Sequence, residues 1–166
     1  ACKKANAPHR RGTTDGQGEE VHLDYCFMKE QGESENLTIL VMKDKQSGAI
    51  FADVVLTKGR GLEGIVERVV NNINKLGHKK MTIKTDQEPA LMDLAKAVKE
   101  MREDITLIEH SPARESQSNG SIERAVRSVE EQVRTLKLAL QERIKAKIPS
   151  RHPVMTWLVQ HAAECI

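Results

Sequence analysis

Three carboxylates stand where strand and helix formation alone would not put them. Asp24 lies inside VHLDYCFM, between Leu23 and Tyr25. Asp is a poor strand former, and an acid among apolar neighbours is costly unless it is paired or binds a cation. Asp86 stands where the strand-like run KKMTIKT ends. Glu123 follows the polar, glycine-containing run SQSNGSI at the opening of a long helix. Strand ends and neighbouring helix starts are where ligand sites gather in open sheets, so the three can converge. Converging carboxylates suit hard divalent cations, Mg²⁺ above all. Each acid also has an ordinary structural reading. Asp24 can pair with a Lys or Arg. Asp86 can cap the helix that Pro89 opens. Glu123 can be a first-turn acid favoured by the helix dipole, with Arg127 as its i+4 partner.

The elements that must position these acids follow from periodicity. Val21–Met28, Leu37–Met42 and Ala49–Leu56 are rich in β-formers and joined by polar or turn-forming stretches, which predicts three strands in an antiparallel meander. Ile65, Val66, Val69, Val70 and Ile73 share a helical face, and Gly77 is a natural stop. A fourth strand over residues 79–85 leads into Asp86, a helix starts at Pro89, and Ile105–His110 form a fifth strand. The long helix is expected from near Gly120 to about Ala146. Its stripe of Ile122, Ala125, Val126, Val129 and Val133 leaves Glu123 about 100° away from Ile122, off the buried side. One more helix starts at Val154. Strands in a run, followed by alternating strands and helices, imply an α/β fold: a mixed five-stranded sheet flanked by helices.

HLDYCF, IKTDQEPAL and SPARESQSNGSIERAV together resemble the catalytic core of retroviral and retrotransposon integrases, members of the ribonuclease-H-like superfamily. That family carries an Asp in the first strand, an Asp in a T-D motif after the fourth, and a Glu at the opening of a long helix. The matching positions here are Asp24, Thr85–Asp86 and Glu123, and the stretch 87–122 between the second and third acids is close to the family's usual gap. The resemblance spans roughly residues 21–140. It implies a ribonuclease-H-like sheet and a metal-dependent polynucleotidyl transferase and endonuclease. In that chemistry water trims a DNA 3′ end and the resulting hydroxyl attacks target DNA. Two Mg²⁺ ions, replaceable by Mn²⁺, would neutralise the phosphodiester and activate the attacking oxygen. Asp24 would bridge the ions, with Asp86 and Glu123 each completing one. Ser118, Asn119, Arg124, Arg127 and, more weakly, Lys84 would contact DNA. A retrotransposon-type polyprotein source, a homodimer or higher oligomer, and action on chromosomal DNA in the nucleus after cytoplasmic synthesis are further expectations.

Two departures stand beside the match. Glu88 occupies the place where the family commonly has Gly, two residues after the second Asp. Many members also carry basic residues one and two turns beyond the catalytic Glu; Arg127 fits the first place, but Glu130 holds the second, with Arg124 and Arg134 nearby. A ribonuclease-H-type nuclease is an alternative on the same fold. It would draw an acid from the first helix, where only Glu63 and Glu67 are available. A non-catalytic, integrase-derived DNA-binding module is another.

Composition bounds these readings. With 26 basic and 24 acidic residues the net charge is only +2, so any nucleic-acid contact must come from local patches. Aromatic residues make up 2% of the 166-residue chain, which leaves the core to Ile, Val, Leu, Met and Ala. The three cysteines, Cys2, Cys26 and Cys165, show no pairing pattern, as expected of a reducing compartment. No apolar run approaches the roughly 18 residues of a membrane span. Residues 1–18, with Lys3, Lys4, His9, Arg10 and Arg11, are expected to be a flexible basic linker. By the resemblance it would follow a zinc-binding domain absent from this sequence, of which Cys2 would be the last ligand. Residues 19–166 would be the catalytic core, its last helix truncated.

Overall fold

The computed structural model describes residues 18–29, 32, 36–55, 58, 64–110 and 116–166, with the backbone alone at 116–119. Its elements run β1 (Glu19–Met28), β2 (Leu37–Asp44), β3 (Ile50–Val55), α1 (Ile65–Leu76), β4 (Lys80–Thr85), α2 (Pro89–Met101), β5 (Ile105–His110), α3 (Ser116–Ile144) and α4 (Val154–Glu164). The order is the expected one. Residues 1–17 of the expected linker and most of the segments after β1, β3 and β5 lie outside the described residues, as does Leu56 at the end of the expected third strand.

The five strands form one sheet in the order β3-β2-β1-β4-β5. β1 pairs antiparallel with β2, and β2 with β3; β1 pairs parallel with β4, and β4 with β5. The meander is antiparallel because short turns join it, such as Asp44–Gly48, where the Asp44 carboxylate accepts from Ser47 N at 2.7 Å. β4 and β5 run parallel because α2 carries the chain back between them.

Side chains alternate across β1 with period two. Val21, Leu23 and Tyr25 enter a core with α1 and α2, against Ile65, Val69, Leu91 and Leu94. Cys26 and Met28 enter a second core with α3 and α4, against Ile122, Ala125, Val129 and Leu158. The same alternation places His22 and Asp24 on the α3 side of the sheet.

Two boundaries differ from expectation with consequences for the site. α3 begins at Ser116, so the run through Gly120 is helical and Glu123 lies in the second turn. Gly120 does not take a left-handed conformation; among the described glycines only Gly32, Gly48, Gly64 and Gly77 do. No Pro interrupts 116–121, and the buried stripe from Ile122 onward carries the helix back across weak helix formers at a cost of about 1 kcal/mol for a Gly. The helix ends at Ile144, and Lys145 turns the chain with φ of 54°. Pro89 is the first residue of α2, but the cap position is Glu88, not Asp86.

Candidate active site

Parallel pairing of β1 with β4, from Glu19–Met81 through His22–Lys84, sets the end of β4 beside the middle of β1. Asp86, just past that end, therefore meets Asp24. α3 lays Ile122 on the same face of the sheet, and the next residue, Glu123, completes the group. Asp24, Asp86 and Glu123 line one cavity of about 150 Å³, together with His22, Lys84 and Thr85. Three acids far apart in the chain thus share one concavity, while Glu67 does not line it and Glu63 lies outside the described residues.

Burial pushes the Asp24 carboxyl up to about 6, against a lowering hydrogen bond from Tyr25 N at 2.8 Å, and the charges of Asp86, Glu88 and Glu123 push it further up. Burial first, and the neighbouring carboxylates after it, disfavour the charged form of Asp24, a state that a cation in the cavity would relieve. Asp86 is oriented by an Asx turn: its Oδ1 accepts from Glu88 N at 2.9 Å. Among the described residues no three His, Cys, Asp or Glu side chains are arranged to hold a metal ion as they stand. The fit to divalent cations is one of donor chemistry and location: hard carboxylate oxygens on a shared cavity that repel one another.

Several polar neighbours of the site were not apparent from spacing. His22 Nε2 contacts Glu20 Oε1 at 2.5 Å, and Glu20 also receives Lys45 and Lys84, each at 3.3 Å. Burial raises the Glu20 carboxyl, but the His22 hydrogen bond and the charges of Lys84, His22 and Lys45 outweigh it and hold it below its ordinary value. Burial in turn lowers the His22 imidazole against the pull of Glu20. Thr85 Oγ1 lies 3.0 Å from His110 Nδ1, tying the residue before Asp86 to β5. The signal that would have found these groups is the β1–β4 register, which sets His22 opposite Lys84.

The residues expected to meet DNA divide by environment. Arg124 and Arg127 are exposed on α3. Lys84 is only 16% exposed and bridges Glu20 and Glu109, the latter at 3.5 Å, so it lies in the cavity wall rather than on open surface. The backbone of Ser118 and Asn119 is in the first turn of α3, and their side chains lie outside what is described. Among the described residues Glu123 and Arg127 form no ion pair, so the i+4 reading of Glu123 fails; Arg134 pairs with Glu130 instead, at 3.5 Å. Cys26 is buried, and burial pushes its thiol up to about 12, which makes it packing rather than a nucleophile. No helix among the described residues is long and apolar enough to cross a membrane.

No protein-family model matches the sequence, and no curated protein matches it. Solved structures do. The simian T-cell lymphotropic virus intasome, in complex with the PP2A regulatory subunit B56 gamma, is similar over 90% of this chain with a TM-score of 0.67 and 16% identity. The match covers 48% of that intasome chain, so the present chain spans about half its length. The HTLV-2 integrase catalytic core domain in complex with magnesium is similar in its dimeric form, with a TM-score of 0.59, 17% identity, and coverage of 89% of this chain and 84% of that one. Its trimeric form has the same TM-score, 16% identity, and coverage of 89% and 83%. At such identities the likeness is one of fold. The chain has the ribonuclease-H-like fold of a retroviral integrase catalytic core: its described residues form a mixed five-stranded sheet flanked by four helices.

Proposed function

We propose that the chain is the catalytic core of an integrase from a retrotransposon-type polyprotein, a metal-dependent polynucleotidyl transferase and endonuclease that processes DNA 3′ ends and joins them to target DNA. The observation that carries this reading is the convergence of Asp24, Asp86 and Glu123 on one cavity in a fold shared with integrase cores. Asp24, Asp86 and Glu123 would hold two Mg²⁺ ions. Bound there, such ions supply charge neutralisation at the phosphodiester and activation of the attacking oxygen. The chain's own part is to hold the carboxylates in place: Tyr25 N fixes Asp24 and Glu88 N fixes Asp86. Arg124 and Arg127 stand exposed on α3 to take DNA phosphates, Lys84 lines the cavity, and Ser118 and Asn119 would meet DNA from the first turn of α3. In the first step water opens a phosphodiester and leaves a 3′-hydroxyl. In the second that hydroxyl displaces a 3′-oxygen of target DNA, one ester bond forming as another breaks.

Similar cores are described with magnesium in dimeric and trimeric forms and as part of an intasome, which supports divalent-metal use and oligomeric action here. Work on chromosomal DNA places the proposed site of action in the nucleus. The test is a disintegration reaction on branched DNA with Mg²⁺ or Mn²⁺, comparing this chain with Glu123→Gln. Joining by the wild type and its loss in the variant supports the reading. Failure of calorimetry to detect any metal binding by the wild type refutes it, and cleavage of RNA–DNA hybrids without DNA joining would favour the ribonuclease-H-type alternative.

A further inference from the structure

Lys58, in the connection between β3 and α1, makes three contacts with one ammonium. It pairs with Glu88 Oε1, and its Nζ stands 4.6 Å from the centre of the Phe27 ring and 5.4 Å from that of Tyr25. Both distances fall within the roughly 6 Å over which a cation is drawn to a ring face. The partners matter because of what their backbones do. Tyr25 N holds Asp24 Oδ1, and Glu88 N holds Asp86 Oδ1. One cation therefore ties together the two residues that orient the two aspartates. It does so with a side chain only 35% exposed against a Glu88 side chain that is 26% exposed, so the pair is partly shielded from solvent.

Glu88 is also the carboxylate that departs from the integrase pattern. Left unpaired it would be a fourth negative charge beside the three acids that line one cavity. We propose that Lys58 is a positioning residue of the site: seated over Tyr25 and Phe27, it neutralises Glu88 and so sets the affinity of the three-acid cavity for divalent cations. This role rests on the metal-binding reading above. It acts through Glu88 and Tyr25, with no contact between Lys58 and the reacting atoms.

The charges give the signs. Removing Lys58 exposes the Glu88 charge, which attracts a cation. Removing the Glu88 charge leaves Lys58 unbalanced, which repels one. The test is calorimetric titration of Mn²⁺ into the whole chain at neutral pH, with thermal unfolding of each variant measured alongside. Lys58→Met should bind Mn²⁺ more tightly and Glu88→Gln more weakly, each by roughly two- to ten-fold, the range for a partly screened unit charge acting on a divalent ion. The double variant should return to within about two-fold of wild type, since the two changes cancel in a coupled pair. Lys58→Arg keeps the charge and should keep the affinity. Unchanged Mn²⁺ affinity in Lys58→Met, with only its unfolding temperature altered, would make the pair a structural tie and overturn the proposal. So would a double variant no closer to wild type than its parents. If the wild type binds no Mn²⁺ at all, the metal reading itself falls, and this role with it.

Discussion

Replacing Asp24 by Asn should make the metal-free protein more stable at neutral pH. In the folded chain its carboxyl is raised from an ordinary 3.8 to about 6. A carboxylate with a raised folded pKa binds more protons folded than unfolded between those two values, so its contribution to stability falls as pH rises through that window. Above the window the charged form opposes folding by about 3 kcal/mol, at roughly 1.4 kcal/mol per pH unit. Asp24 is half-buried rather than sealed, and screening brings the expected gain for Asp24→Asn to roughly 1–2 kcal/mol. The amide oxygen can still accept from Tyr25 N, so little else is lost. The assay is urea unfolding of both proteins, free of metal, at pH 7.5 and at pH 4. The gain should be present at the higher pH and vanish at the lower, and Mg²⁺ should stabilise the wild type more than the variant. A variant that is less stable at pH 7.5, or whose effect ignores pH, would refute the idea that the site stores unfavourable charge.

Three further outcomes follow from particular residues. Gly120 is helical, and a Cβ there meets nothing within 4 Å, so Gly120→Ala should raise stability by about 0.5–1 kcal/mol in thermal unfolding. Lys145 ends α3 with φ of 54°, a conformation that suits glycine, and Lys145→Gly should stabilise by about 0.5–1 kcal/mol by the same measurement. Arg127→Ala should weaken DNA binding evenly across sequences and lower the salt dependence of the affinity by about one phosphate contact, read by fluorescence anisotropy at several salt concentrations.

The course of the chain was legible because its strands and helices carry clean periodicities. β5 falls on Ile105–His110 as expected, and α1 buries the expected face through Ile65, Val69 and Ile73. Asp24 stood out because a strand interior is an expensive place for an acid. α3 starts earlier than its local sequence predicts because Ser, Asn and Gly signal a turn locally, whereas packing of the stripe beyond them decides the backbone. Glu88 was visible as a departure, but its partner was not, since Lys58 reaches it from a different connection. The Glu20–His22–Lys84 group depends on which strands are neighbours, a fact no local pattern holds.

The position of β1 in the sheet has a consequence for the order of assembly. It is bonded on one side to β2, its immediate successor, and on the other to β4, which arrives only after β2, β3 and α1. Ring closure favours the nearer partner, so the meander has a kinetic head start over the parallel half. Asp24 then belongs to the early half and Asp86 to the late one. In pulse-labelled hydrogen exchange during refolding, amides of β2 and β3 should gain protection before those of β4 and β5. The last long-range docking of the sheet would also be the event that first brings the two aspartates face to face.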